Sequence, residues 1–177
     1  MEKIKIEKGT VQETLLIPLY GRKYAMDLYL DIFMDHDCQA LFDRIDFTVP
    51  DNMKGMLGNI GCIMGATRQY DMASACRAYL KAHPNACVVN LGCGLDTTFR
   101  QVDNGKAKGY NLDFPDVIAV RNELLPAGER EENIPCNLND TAWFSQIDAS
   151  GGAVFFASGV FYYFLTEQVK ALVQSMA

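Results

Sequence analysis

The run Val88-Val89-Asn90-Leu91-Gly92-Cys93-Gly94-Leu95-Asp96-Thr97 constrains this chain more than any other stretch. A short, mostly apolar β-type segment ends in a tight Gly-x-Gly turn, and a second such segment, Gly109-Tyr110-Asn111-Leu112-Asp113, closes on an acid. The separation of about 20 residues between the first glycine and that acid is the spacing of a nucleoside-binding βαβ unit. Glycines at Gly92 and Gly94 let the backbone come close to a ligand, where a Cβ would occupy the ligand's space. Asp113, at the carboxyl end of the second strand, is placed to accept hydrogen bonds from ribose hydroxyls.

The turn also narrows the ligand. A dinucleotide fingerprint carries a third glycine for close helix packing and a pyrophosphate at the helix N-terminus. Thr97 stands in that position, and Asp96 opposes a pyrophosphate electrostatically. S-adenosylmethionine, a sulfonium with an ammonium group and no phosphate, suits the turn better. A nicotinamide dehydrogenase rests on Gly-x-Gly and Asp113 alone.

The longer motif Asn90-Leu91-Gly92-Cys93-Gly94-Leu95-Asp96-Thr97-Thr98-Phe99-Arg100, followed by Asn111-Leu112-Asp113-Phe114-Pro115-Asp116-Val117-Ile118, resembles the leucine carboxyl methyltransferase family, and within it the polyketide-synthesis O-methyltransferase branch. The likeness continues upstream through Glu13-Thr14-Leu15-Leu16-Ile17-Pro18-Leu19-Tyr20-Gly21-Arg22 and Ala40-Leu41-Phe42-Asp43-Arg44-Ile45-Asp46. Downstream it takes in Asn137-Leu138-Asn139-Asp140-Thr141-Ala142-Trp143-Phe144 and Ser158-Gly159-Val160-Phe161-Tyr162-Tyr163. It implies a Rossmann-like class I methyltransferase core, an α/β fold with a parallel sheet, S-adenosylmethionine as cofactor, and transfer of a methyl group to an oxygen.

The same resemblance assigns roles. Arg68, expected just before the first core helix, would hold the donor's methionine carboxylate, for which a guanidinium fork is suited. Gly92, Cys93 and Gly94 would floor the methionine and ribose, and Asp113 would take the ribose hydroxyls. Asn137 and Leu138 would sit by the adenine, with Asn137 where many relatives have Asp. Ser158 and Gly159 would close the donor site, with Ser158 where many relatives have Glu. Tyr162 and Tyr163 are the candidate catalytic residues, shaping the acceptor pocket or bonding the acceptor oxygen; core packing under the sheet edge is the alternative for each. Asp96 is read equally as a ligand contact or as a brace of its own turn. Trp143 and Phe144 either flank the adenine or belong to the core.

Methyl transfer from a sulfonium is an in-line displacement at an activated carbon, so the protein has mainly to align the reactants and exclude water. A carboxylate acceptor needs no general base, and a chain with only two histidines, His36 and His83, is poorly supplied for Ser-His or Cys-His hydrolysis. The six cysteines, at 38, 62, 76, 87, 93 and 136, form no C-x-x-C pair, so reduced buried thiols are expected and no metal site. Net charge is −6, with no basic cluster beyond Arg22-Lys23, which excludes a nucleic-acid-binding face. Val154-Phe155-Phe156-Ala157, the longest apolar run, is too short to span a bilayer, and the charged start lacks the apolar centre of a secretory signal; a cytoplasmic protein is expected.

With 177 residues and 49% hydrophobic content the chain can bury a core. Two regions are expected: a helical N-terminal region over residues 1–80 and an S-adenosylmethionine-binding α/β core over 81–177. In the first, Thr10 caps a helix through Leu16, Pro18 breaks or kinks it before a second stretch through Phe33, and Asp37 caps a helix through Ile45. Met72, Ala75, Cys76, Tyr79 and Leu80 fall on one helical face that ends before Pro84. In the core, strands are expected over 86–91, 108–112, 132–135 and 153–157, the last apolar throughout as a strand covered on both faces would be. Helices are expected over 97–102, 115–125 and 166–176, with Pro115 in a first turn.

Only the first four strands of the family's larger sheet are present, which leaves 153–157 as an apolar edge. A fragment of a longer protein is the stronger expectation; otherwise the exposed edge would pair, for instance by self-association. The functional expectation is therefore an S-adenosylmethionine-dependent O-methyltransferase acting on a carboxyl or hydroxyl group of a small molecule, present as an N-terminal portion. The alternative is a non-catalytic donor-binding or interaction module of the same fold.

Overall fold

The computed structural model describes residues 3, 14–29, 35–46 and 59–176. The element order is α1 (Leu16–Leu28), α2 (His36–Arg44), α3 (Asn59–Ala82), β1 (Cys87–Leu91), α4 (Thr98–Val102), β2 (Lys108–Asp113), α5 (Pro115–Leu124), β3 (Glu131–Pro135), β4 (Ala153–Ala157) and α6 (Thr166–Ser175). Two 3-10 segments, Thr141–Gln146 and Phe161–Tyr163, flank β4. The fold is α/β, a Rossmann-like core built on a parallel sheet of order β3-β2-β1-β4. The chain divides into two compact units, residues 1–72 with 95–98, and residues 73–94 with 99–177.

In the first unit α1 and α2 pack together. Pro18 does not break the helix. It falls in the first turn of α1, where a backbone N–H has no helical acceptor to lose. The cap of α2 is Asp35 rather than Asp37: its carboxylate accepts from the Cys38 N–H at 3.0 Å, and Asp37 lies one residue inside the helix. Thr10 and Phe33 lie outside the described residues. α3 starts well upstream of the expected stripe, and its buried positions include Ala66, Gln69, Ala73, Cys76 and Leu80.

In the second unit the strands fall within one residue of the expected bounds. One face of the sheet, through Cys87, Val89, Leu91, Tyr110, Leu112 and Ile134, packs on Leu138, Trp143 and Leu172 as a single apolar cluster. α5 packs on β2 and β3 from the other face, with Val117 and Ile118 buried. Pro115 occupies the first turn of α5, and the Gln168 side chain accepts from the Leu165 N–H at 2.8 Å to start α6. β4 lies at the edge of the sheet, as expected. The cover on both faces expected from its apolar run is a correction, because of its five residues only Phe156 is buried. No helix among the described residues is long and apolar enough to cross a membrane.

Trp143 is the largest side chain with essentially no exposure, and it stacks on Phe144 with ring centroids 3.8 Å apart. Trp143→Ala should lower the unfolding free energy by about 3–5 kcal/mol, read by urea denaturation followed by circular dichroism. A loss under about 1 kcal/mol would show that this cluster is not the core of the unit.

Candidate functional site

Because all four strands are parallel, their carboxyl ends share one edge of the sheet. Leu91 lies opposite both Leu112 and Ala157, and Asp113 lies opposite Pro135. The strand order reverses between β1 and β4, the switch point beside which ligands of open α/β sheets bind. Gly92, Cys93 and Gly94 leave β1 there, Asp113 ends β2, Asn137 and Leu138 follow β3, and Ser158 and Gly159 follow β4. Eight of the residues singled out in the sequence are thus carried to one edge by the topology alone.

The centre of this edge is a set of backbone-to-carboxylate contacts. The Gly94 N–H donates to Asp113 Oδ2 at 2.8 Å and the Phe114 N–H to Asp113 Oδ1 at 2.8 Å. The Cys93 N–H reaches Leu112 O at 2.9 Å, and the Cys136 N–H reaches Asp113 O at 2.8 Å. Gly92, Gly94 and Gly159 have φ of 67°, 47° and 81°, the left-handed region that glycine enters without strain. Burial pushes the Asp113 carboxyl above the usual range, against the two N–H donors and Arg121, which favour its charged form. A carboxylate offers about four lone-pair sites, so two remain for further donors.

The reason for Gly92 differs from the expectation. A Cβ there would stand 2.5 Å from Val160 Cγ2 and 2.7 Å from Val160 Cβ, so the protein's own valine, not a ligand, fills that space. The close packing of helix on strand that a third glycine of the fingerprint would serve is supplied instead by Gly109, where the Phe99 ring occupies the space a Cβ would need.

Arg121 is the residue sequence reasoning missed. It sits on the buried stripe of α5 with Val117, Ile118 and Leu124. Its Nη1 donates to Gly94 O at 2.8 Å and its Nε to Asn133 Oδ1 at 3.0 Å. An arginine in register with an apolar helical face is the signal that could have found it.

The remaining candidates spread outward. Asn137 is exposed and its Oδ1 accepts from the Asn139 N–H at 3.0 Å. Leu138 is buried in the core cluster, and Trp143 Nε1 lies 3.4 Å from its carbonyl, which places Trp143 in the core. Between this loop and α6 opens a cavity of about 350 Å³ lined by Leu138, Asn139, Thr141, Glu167, Gln168 and Leu172. Burial, with Asp113 and Asp140 nearby, pushes the Cys136 thiol up to about 11, so it is uncharged at neutral pH. Ser158 is half-buried. Tyr162 and Tyr163 are 90% and 74% exposed, which removes the core-packing alternative for both.

In the first unit, Arg68 is exposed and lies within α3, not ahead of a helix. Asp96 braces its own turn: its carboxylate accepts from the Thr98 N–H at 2.8 Å and the Thr98 hydroxyl at 3.0 Å. Arg22, buried, donates to Asp35 at 2.9 Å, to Thr97 Oγ1 at 3.0 Å and to Leu95 O at 2.9 Å.

Residues 23–177 match the family model described as leucine carboxyl methyltransferase. The chain belongs to the leucine carboxyl methyltransferase family. It is also similar to the tetracenomycin polyketide synthesis O-methyltransferase TcmP of Streptomyces glaucescens, at 26% identity over 151 residues, covering 85% of this chain and 55% of that protein. The chain therefore spans about half the length of the curated relative it matches. The family match includes every candidate residue of the strand-end site.

Gly92→Ala should destabilise the chain by about 1–3 kcal/mol, through the contact with Val160 and a positive φ. The double variant Gly92→Ala/Val160→Ala should recover part of that loss in urea denaturation. Equal destabilisation of single and double variants would show that Val160 does not set the requirement for glycine.

Proposed function

We propose that this chain carries the donor-binding part of an S-adenosylmethionine-dependent O-methyltransferase acting on a carboxyl or hydroxyl group of a small molecule. The observation that carries the reading is the Asp113 carboxylate at the end of β2, held by the Gly94 and Phe114 N–H groups with acceptor capacity left over. Ribose presents two adjacent hydroxyl donors, and a fixed carboxylate is the acceptor that suits them. Gly92, Cys93 and Gly94 form the floor of the site, Leu138 and Asn137 border the adenine, and Ser158 and Gly159 close the far side. The donor supplies an activated methyl group; the protein's part is to hold it and the acceptor in line and keep water out. Tyr162 and Tyr163, exposed beyond β4, are the residues proposed to meet the acceptor.

A second reading, a non-catalytic donor-binding or interaction module, is favoured by one detail. The Asn137 Oδ1 already accepts from the Asn139 N–H in its own turn, at the position where the family resemblance leads one to expect an acid.

Asp113 must be ionised to accept two hydroxyl protons. Its pKa is raised by burial, so donor binding should be full above that raised pKa and fall away as pH drops through it, earlier than for an exposed aspartate. Calorimetric titration with S-adenosylmethionine, S-adenosylhomocysteine and NAD should show binding of the adenosyl pair alone, weakened at least about tenfold by Asp113→Ala. A folded sample that binds neither adenosyl compound would leave the resemblance describing only the fold.

A further inference from the structure

We propose that Arg121 is a positioning residue of the donor site, fixing the Gly94 peptide whose N–H holds the Asp113 carboxylate, without touching the donor. This rests on the donor-site reading above. The Arg121 side chain is 1% exposed, and burying a guanidinium is costly unless its donors are matched. A methionine would fill similar space on the buried stripe of α5 at less cost, so stability alone does not account for arginine here.

Its bonds show where the charge is directed. Nη1 donates to Gly94 O at 2.8 Å, while the N–H of the same residue donates to Asp113 Oδ2 at 2.8 Å. Gly94, at φ 47°, is therefore held on both sides, by a cation at its carbonyl and an anion at its amide. The guanidinium is itself braced: Nε donates to Asn133 Oδ1 at 3.0 Å, and Nη2 lies 4.0 Å from Glu131 Oε1. Asn111 Nδ2 donates to the same Asn133 oxygen at 3.1 Å, and Arg100 Nε to Glu131 Oε2 at 2.9 Å. The fork is fixed by β2, β3 and α4 before any ligand arrives. Facing Asp113 are Arg121 and Asp116 of α5 and the neutral thiol of Cys136 after β3; of these only Arg121 favours the ionised carboxylate.

The test is S-adenosylhomocysteine binding from pH 4.5 to 8.5 by the full chain as wild type, Asp113→Ala, Arg121→Met and Arg121→Lys, with thermal melts of each. Arg121→Met should weaken binding about tenfold and move the acid midpoint of binding upward. Arg121→Lys, which keeps the charge but not the fork, should weaken binding several-fold with the wild-type midpoint. If Arg121→Met does not fold, Arg121→Lys carries the test, and wild-type affinity in it overturns the proposal. Weaker binding by Arg121→Met with an unmoved midpoint reduces Arg121 to a structural part and also overturns it. Binding that Asp113→Ala abolishes and Arg121→Met leaves intact overturns this proposal alone; a folded wild type that binds nothing overturns the donor site and this proposal together.

Discussion

The peptide of Gly94 is pinned from two directions, by the Asp113 carboxylate at its N–H and by the Arg121 guanidinium at its carbonyl, each at 2.8 Å. That pair of bonds ties the loop after β1 to the end of β2 and to the middle of α5. Gly94 holds both bonds in the left-handed conformation, at φ 47°. The neighbouring Cys93 N–H, on Leu112 O, continues the β1–β2 ladder one step past the strand and leaves the loop little freedom. A nucleoside meeting this edge finds its acceptor already oriented, which limits the ordering that binding would otherwise require.

The two faces of the sheet divide the work. On one, Cys87, Val89, Leu91, Tyr110 and Leu112 pack on Trp143 and Leu172 with no charged group in the cluster, and the burial of apolar area there supplies stability. On the other, Asn111, Asn133, Glu131, Arg100 and Arg121 form a connected polar network against α4 and α5. Such a network adds less stability than the same volume of apolar packing, yet it fixes directions that packing alone leaves loose. The first unit repeats the device: Arg22 grips the Leu95 carbonyl and the Thr97 hydroxyl while Asp35 accepts from both Arg22 and Thr97. Two buried arginines thus hold two consecutive carbonyls, Gly94 through Arg121 and Leu95 through Arg22.

Much of the second unit is legible in the residues. The strands at 87–91 and 108–113 announce themselves because each run closes on a glycine or an acid, that at 153–157 because it is apolar throughout, and parallel pairing then carries their end residues to one edge; 131–135, Glu-Glu-Asn-Ile-Pro, gives the weakest signal of the four. Asp113 and the glycines follow from that. Less legible is anything set by a partner distant in sequence. Val160 fixes the need for glycine at position 92, and Phe99 the need at position 109, from the far side of a loop or strand. The register of Arg121 with Val117, Ile118 and Leu124 hints at its burial, but its partners Gly94, Asn133 and Glu131 are visible only in the fold. The partial burial of β4 is hidden for a different reason, since an apolar run reads the same whether neighbours cover both its faces or not.

Whether the strand ends form one donor site around Asp113 and Gly94 is tested most directly by amide chemical-shift mapping of the chain on addition of S-adenosylhomocysteine. Shifts should cluster at Gly92, Cys93, Gly94, Asp113, Phe114, Leu138 and Gly159, with the amides of the Trp143 cluster little changed beyond Leu138. Shifts confined to other parts of the chain, or none from a folded sample at millimolar ligand, would contradict a donor site at this edge.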